Sequence, residues 1–394
     1  MSSAAGEATR VGAVYVHAPF CARRCVYCDF AVTVRREGDL PAWIESLGAE
    51  LRLVEAEGLF RLAPRLDSLY VGGGTPSLLG PGAMRGLAEL LGRDRLQDPD
   101  LEWTAEANPE SFTDSVARAW AEAGVNRISL GLQTFHAAGL KWMGRLHGVE
   151  GPARALEAAR RAGINNVSVD LIFGLPSALG RSWEDDLERV LALDVPHVSL
   201  YGLTIEGGTA LGRAVREGRE SPVDDEQYRE EFLRAAEVFT NAGYVHYEVS
   251  NFARPGAEAR HNGRYWDGSP YLGLGNGAHS YCEPIRRWNV RDWEDYRTRL
   301  RQGKSPEGER EVVGADAAAL ERAWLALRTR EGIVMPEATS LTGKIGLSWR
   351  DQGLAVFDQG RLRLTAEGWL VLDRLALEWD DAMSSIDLGK RVRD

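Results

Sequence analysis

Cys21, Cys25 and Cys28 stand in the spacing Cys-x-x-x-Cys-x-x-Cys, inside one short loop that follows the strand-like run Val14 to His17. Three thiolates held this closely fill three of the four iron positions of a cubane [4Fe-4S] cluster and leave the fourth iron open to another ligand. A structural zinc site needs a fourth ligand to close its tetrahedron; Asp29 or His17 could supply it, so zinc is the alternative. A disulfide with one free thiol is a third reading, and it suits a secreted chain better than this clustered spacing. Cys282 lies far from the cluster. A lone internal cysteine is ordinarily a small buried hydrophobe, with thiolate attachment to a bound group as the alternative.

The elements that must position these residues follow a regular rhythm. Strand patterns at Val14 to His17, Leu66 to Val71, Leu101 to Ala107, Arg127 to Leu132, Val167 to Phe173 and His197 to Tyr201 alternate with helical ones. Asp39 caps the first helix, whose apolar face is Ile44, Leu47, Leu51 and Val54; later helices open near Asp114, at Pro152 and at Ser182. Six strand–helix alternations imply an α/β fold with a parallel sheet, by the right-handed crossover rule. The Gly-rich and polar segments fall just after the strands, at the rim where such folds build their sites. A partial (β/α)6 TIM-like barrel is the expectation, since a full set of eight is not evident.

After Gly207 the rhythm breaks. A charged helix is expected from about Asp224 to Asn241, then an irregular aromatic and Gly-rich stretch from Tyr244 to about Trp288. Arg301 to Glu311 reads as a linker. A helix capped at Asp316, a second short helix, a wing-like strand at Arg361 to Leu364 and a closing helix from Ala366 to Trp379 suggest a small winged-helix-like α+β domain. The expected boundaries are 1–250 for the core, 251–310 for the aromatic segment and linker, and 311–394 for the C-terminal domain.

The chain has 394 residues, a soft prior of about two to three domains. Asp and Glu number 58 against 47 Lys and Arg, a net charge of −11, which argues against broad nucleic-acid binding. No apolar run is long enough for a transmembrane helix. The polar start Met1 to Arg10 has no apolar core of a secretory signal, so the cytoplasm is the expected location.

Tyr15 to Cys21, Gly72 to Ser77, Glu106 to Glu110, Asn126 to Phe135, Gly144 to His147, Asp170 to Pro176 and His261 to Trp266 recur in order along the chain. Together they resemble the radical SAM family, and within it the branch holding oxygen-independent coproporphyrinogen III dehydrogenases and the radical SAM heme chaperones. The resemblance implies that residues 1–250 are the radical SAM core, with the cluster on Cys21, Cys25 and Cys28. S-adenosylmethionine would chelate the open iron, and an electron from the reduced cluster would cleave its sulfonium; the cofactors carry that chemistry while the protein orients and shields them. Gly73, Gly74 and Thr75 match the segment that takes the methionine moiety, where glycine lets backbone approach a ligand closely. Glu106 matches a ligand-binding carboxylate at a strand end. Gln133, Arg145 and Asp170 match positions that contact a second S-adenosylmethionine in the dehydrogenase, and Tyr15 and Tyr27 match further cofactor contacts.

Two departures favour the chaperones over the dehydrogenase. The dehydrogenase carries a further cysteine, spaced by one residue, after the third ligand, where this chain has Asp29-Phe30; it also carries a long N-terminal extension, whereas 20 residues precede Cys21 here. His261-Asn262-Gly263-Arg264-Tyr265-Trp266 fits the chaperones' HNxxYW signature, so His261, Asn262, Tyr265 and Trp266 are implied in heme binding. Imidazole is a common axial ligand and the aromatic rings offer flat faces; Arg260 or Arg264 could pair a propionate. Without the resemblance, His261 reads as a satisfied loop histidine and the rings as core. The expected function is a heme chaperone with client hemoproteins as partners. The alternatives are oxidative decarboxylation of coproporphyrinogen III and a radical SAM methylase, so whether the chain is an enzyme stays open. Arg23 and Arg24 read as solvated charge, or as a basic collar for an acidic flavodoxin or ferredoxin. A homodimer is a further expectation, and the C-terminal domain reads as a lid or client-docking element.

Overall fold

The computed structural model describes residues 8–335 and 340–391. The polar start expected to lack a secretory signal falls mainly in residues 1–7, outside the described residues. The chain forms two compact units, each discontinuous in sequence: residues up to 224 with 270–312, and 225–269 with residues from 313 onward.

The first unit holds six strands in sequence, β1 (Ala13–Ala18), β2 (Ser68–Gly73), β3 (Glu102–Ala107), β4 (Arg127–Gln133), β5 (Asn166–Phe173) and β6 (His197–Gly202). Between them run helices α1 (Leu40–Glu57), α2 (Ala83–Leu91), α3 (Asp114–Ala123), α4 (Gly151–Arg161) and α5 (Trp183–Ala192). Successive strands pair in parallel in chain order, the expected (β/α)6 arrangement. Two of the expected helix starts, Asp39 and Ser182, are real caps, and the helix expected near Asp114 is capped one residue earlier, by Thr113. The Asp39 carboxylate accepts from Ala42 N, Thr113 from Val116 N and Ser182 from Asp185 N, each satisfying an amide that has no partner inside its helix. On α1, Trp43, Leu47, Leu51 and Val54 are buried at helical spacing.

The sheet continues beyond β1. On its other side β1 pairs in parallel with β7 (Tyr271–Leu274), followed by antiparallel β8 (His279–Cys282), β9 (Ile285–Asn289) and β10 (Glu307–Val312). This corrects two expectations. The stretch read as irregular to Trp288 contains regular strands, and the segment read as a linker to Glu311 is half strand. Both errors have one cause: these strands are short, Gly-bearing or charged. β8 and β9 bury alternate residues and β10 buries none, so they lack the continuous apolar run of β1 to β6. Charge on β10 suits its place at the sheet edge.

The second unit contains the helix Asp225–Asn241, the hairpin Val245–Glu248 with Asn251–Ala253, and the helix Arg260–Trp266. Its C-terminal part is winged-helix-like: helices Ala315–Leu327 and Leu341–Asp351, then a three-stranded sheet with Arg361–Leu364 between Ile333–Val334 and Ala355–Asp358. The first of these helices is capped from Gly314, with Asp316 inside its first turn, not at the cap. The closing helix is two, Ala366–Leu370 and Leu372–Arg391. The expected boundaries at 250 and 310 fall inside the two units: residues 251–269 belong with the C-terminal part, while 270–310 group with the first unit, whose sheet they continue from β1 through β7. No described helix is long and apolar enough to cross a membrane.

Candidate cofactor site at the strand ends

The cluster loop leaves β1 after Ala18. Cys28 N donates to Cys25 O at 3.2 Å, and Val26 N to Met143 O at 3.2 Å, so the loop is tied both to itself and to the sheet's rim. Cys21, Cys25 and Cys28 are free and half-buried in this structure. Cys21 shares a hydrogen bond with the Thr75 hydroxyl at 3.4 Å, and Arg145 Nη1 donates to Cys25 Sγ at 3.8 Å. Burial pushes the Cys21 thiol up to about 11; the Thr75 bond opposes this, and the neighbouring Cys28 and Cys25 add to it. Burial favours the neutral thiols of Cys21 and Cys28, so a cationic centre would be needed to hold these two as thiolates.

These residues fit an iron–sulfur cluster better than zinc. Among the described residues no three His, Cys, Asp or Glu side chains converge on a single-ion site. A cubane does not require that convergence, because it takes one thiolate on each of three irons. The two candidate fourth zinc ligands are engaged elsewhere. His17 Nε2 donates to Ala31 O at 2.9 Å, and Asp29 pairs with Arg291 at 3.2 Å. That bond fixes the His17 tautomer, so its Nδ1 accepts from the Tyr15 hydroxyl at 3.1 Å. Burial lowers the His17 pKa to about 4, so it is neutral at physiological pH.

The glycine segment closes on the same loop. A Cβ at Gly74 would lie 2.7 Å from Ala18 O and 2.8 Å from Phe20 O, and one at Gly73 would lie 2.2 Å from the His17 ring. Gly73 also has φ +106°, which L side chains rarely adopt. The missing side chains were expected to admit a ligand. What they admit in this structure is the backbone of the cluster strand and the ring of His17. Thr75 Oγ1 is reached by Asn108 Nδ2 at 3.1 Å, and Arg145 Nη2 donates to Asn108 Oδ1 at 2.7 Å and to Gly131 O at 2.6 Å. Cys21, Thr75, Asn108, Arg145 and Cys25 thus form one continuous chain of contacts. Arg145 Nε is buried without a hydrogen-bond partner.

Two carboxylates sit on the inner face of the sheet. Glu106 accepts from the Tyr70 hydroxyl at 2.8 Å and from Gly73 N at 3.0 Å. Burial raises it to about 7, with the Asp170 charge adding to the effect against those two bonds. Asp170 accepts from the Ser129 hydroxyl at 3.0 Å and is raised to about 6, again by burial first. Tyr15 stacks on Tyr70 with ring centroids 6.1 Å apart. Gln133 ends β4 at φ +72°, beside a register shift. Tyr27 packs against Met143, Ile172 and Leu175. Sequence reasoning gave Asn108 no role and passed over Arg127, whose buried charge partly opposes the burial-driven rise of the Asp170 pKa. Asn108 lies in the quoted Glu106 to Glu110 motif, but only the fold shows that it bridges Thr75 to Arg145. Arg24 donates to Val32 O at 3.0 Å, so only Arg23 of the proposed collar lacks such a tie among these bonds.

In the second unit the HNxxYW segment is the helix Arg260–Trp266. His261 is 1% exposed, and its Nε2 is hydrogen-bonded to the Tyr265 hydroxyl at 2.9 Å. The Arg328 guanidinium lies 4.4 Å from the Trp266 ring centroid and pairs with the buried Glu248 at 3.5 Å. Arg264 pairs with Asp267 at 3.8 Å, and Asn262 is half-buried. Cys282 is buried, as a small apolar residue would be.

Comparison with known proteins places this geometry. A family model described as the radical SAM superfamily matches residues 15–190. The chain is similar to the heme chaperone HemW of Mycobacterium tuberculosis, 38% identical over 377 residues that cover 91% of this chain and 92% of that protein. It is similar to the heme chaperone HemW of Lactococcus lactis, at 33% identity over 90% of this chain and 93% of that protein. Among solved structures it is similar to coproporphyrinogen III oxidase (HemN) from Escherichia coli, a radical SAM enzyme, with a TM-score of 0.77 and 21% identity over 95% of this chain and 90% of that one. At that identity the likeness speaks for the fold alone.

Proposed function

The chain belongs to the heme chaperone HemW family of the radical SAM superfamily, and from that premise we propose that it binds heme and passes it to client hemoproteins, with a [4Fe-4S] cluster and S-adenosylmethionine as resident cofactors. The observation that carries the reading is the similarity to HemW over nine-tenths of the chain, beside a radical SAM match that spans the cysteine loop.

Bound, the cluster would supply an open iron and a reducing electron. The protein's part is to hold and shield. Cys21, Cys25 and Cys28 would hold the cluster, and Arg145 sets a fixed positive charge beside Cys25. Gly73, Gly74 and Thr75 bring the end of β2 against the loop. Glu106 fixes the Gly73 amide and the Tyr70 ring and would carry or release a proton near neutrality as a cationic ligand arrives. Tyr15, Tyr27, Gln133, Arg145 and Asp170 are the proposed S-adenosylmethionine contacts; Tyr15 also holds His17. His261, Asn262, Tyr265 and Trp266 are the proposed heme segment. An acidic flavodoxin or ferredoxin as electron donor, a homodimer and a cytoplasmic location complete the proposal.

The test is anaerobic reconstitution of the cluster, followed by parallel additions of heme and of coproporphyrinogen III with reductant and S-adenosylmethionine. A stoichiometric Soret shift, transfer to an apo-acceptor and no vinyl product are expected. Turnover to protoporphyrinogen would overturn the chaperone reading in favour of the dehydrogenase.

A further inference from the structure

A histidine that ligates heme iron must present a ring nitrogen to the ligand. All seven histidines lie among the described residues, and only His279 is exposed. His17, His147, His197 and His261 are buried. His136 caps a helix through Nδ1, and His246 is stacked on Phe252 with centroids 3.9 Å apart.

The surroundings of His279 are ordered by the alternation of β7 to β9. Leu272, Leu274, Ser280, Cys282, Arg287 and Asn289 are buried, and Asn289 and Arg287 reach Glu50 and Glu57 of α1, so theirs is the helix-covered face. Tyr271, His279, Tyr281, Arg286 and Trp288 alternate with them and point the other way. Tyr271 pairs with Tyr281, Tyr281 with Arg286, and His279 with Trp288. Gly273 is level with Tyr15 of β1, which is level with Tyr70 of β2. The set therefore extends the inner face that carries the cofactor residues.

Its chemistry is specific. The His279 and Trp288 rings are stacked, 5.4 Å apart and 21° from parallel. The Tyr271 and Tyr281 centroids are 6.4 Å apart, and the Arg286 guanidinium lies 5.4 Å from the Tyr281 ring. Arg286 pairs with Glu311 at 2.8 Å and Arg291 with Asp29 at 3.2 Å. Partial burial, then Arg286 and Arg291, lower the His279 pKa, keeping the imidazole in the neutral form that binds metal. A flat ligand with two carboxylates and a central metal matches a face with stacked rings, two guanidiniums and one accessible imidazole.

We infer that this face seats iron porphyrin: His279 ligates the iron, Trp288 holds the imidazole plane, Tyr271 and Tyr281 meet the macrocycle, and Arg286 and Arg291 take the propionates. The inference rests on the heme reading above and places the iron ligand outside the HNxxYW segment. Trp288 is a positioning residue: stacked on the imidazole, it would hold the ring that reaches the iron.

The test uses the full chain with its cluster reconstituted, titrated with heme and, separately, with metal-free protoporphyrin IX. His279→Ala is expected to lose the imidazole-ligated spectrum and to weaken heme binding by about tenfold or more. Its protoporphyrin affinity and cluster absorbance should stay unchanged, and added imidazole should restore the spectrum. Arg286→Gln with Arg291→Gln is expected to weaken both porphyrins. His261→Ala is expected to keep the imidazole spectrum. An unchanged heme spectrum in His279→Ala, or loss of the imidazole signature in His261→Ala alone, overturns this assignment and leaves the chaperone reading standing. Wild-type protein that takes up no heme overturns both.

Discussion

Gly74 shows how much of the candidate site depends on a single missing atom. Its amide donates to Ala18 O at 2.8 Å, and a Cβ there would strike two backbone oxygens that no rotamer change can move. Gly74→Ala is expected to cost about 1–3 kcal/mol, as overpacking does, and to lower iron retention after reconstitution; thermal melting and iron analysis check it. His17 gives a pH prediction. Its folded pKa of about 4 lies below the ordinary 6.5, so the unfolded chain binds more protons between those values. Its contribution to stability is complete above pH 6.5 and is lost as pH falls towards 4, amounting to about 3 kcal/mol. Glu106 runs the other way: raised from 4.5 to about 7, it contributes stability at low pH that is lost as pH rises through that window. Denaturant unfolding at pH 4.5, 5.5 and 6.5 should show a smaller acid loss in His17→Gln than in wild type. Equal losses would mean that the ring's burial carries no weight. The cysteines and Glu106 were legible as residue types at a spacing. The carboxylate's raised pKa was not, because desolvation is set by neighbours from other strands.

Among the elements, α1 does more than cover the sheet. Glu50 is buried on it and accepts from Gly275 N at 2.8 Å, from Asn289 Nδ2 and from the Tyr296 hydroxyl at 2.6 Å. One carboxylate thereby ties the helix to the turn after β7, to β9 and to the helix Trp293–Arg301, labelled α6. Burial raises its pKa to about 7 against those three bonds. Glu50→Ala removes an acceptor from the Gly275 amide and the Tyr296 hydroxyl, at about 1–3 kcal/mol each before relaxation, while Asn289 Nδ2 keeps its bond to Gly275 O. It is expected to lower the melting temperature sharply, whereas Glu50→Gln keeps an acceptor and should lose less; similar melting of the two variants would contradict this. Elements with local signals were legible. Capping residues and the apolar spacing of α1 act within a few residues, and the expected Asp39 and Ser182 cap in the structure. Strands β7 to β10 were not legible, because their pairing supplies the order that their composition does not.

At the scale of the molecule, the cluster loop is joined to the sheet by few backbone bonds, while β1 to β6 are paired along their lengths. Removing the cluster under chelation should lower the melting temperature, since binding to the folded state stabilises it, yet leave far-ultraviolet circular dichroism nearly unchanged. Loss of secondary structure on chelation would show that the sheet itself depends on the cluster. The sequence by itself determined the thiolate triad, the six strand–helix repeats and the family, because each is written in spacing along the chain. Only the tertiary structure decided that residues 270–312 return to the free side of β1 and that 225–269 join the C-terminal part. It also decided that His261 is enclosed while His279 is open. Pairing and burial are settled by partners hundreds of residues away, and no local pattern encodes which face those partners will cover.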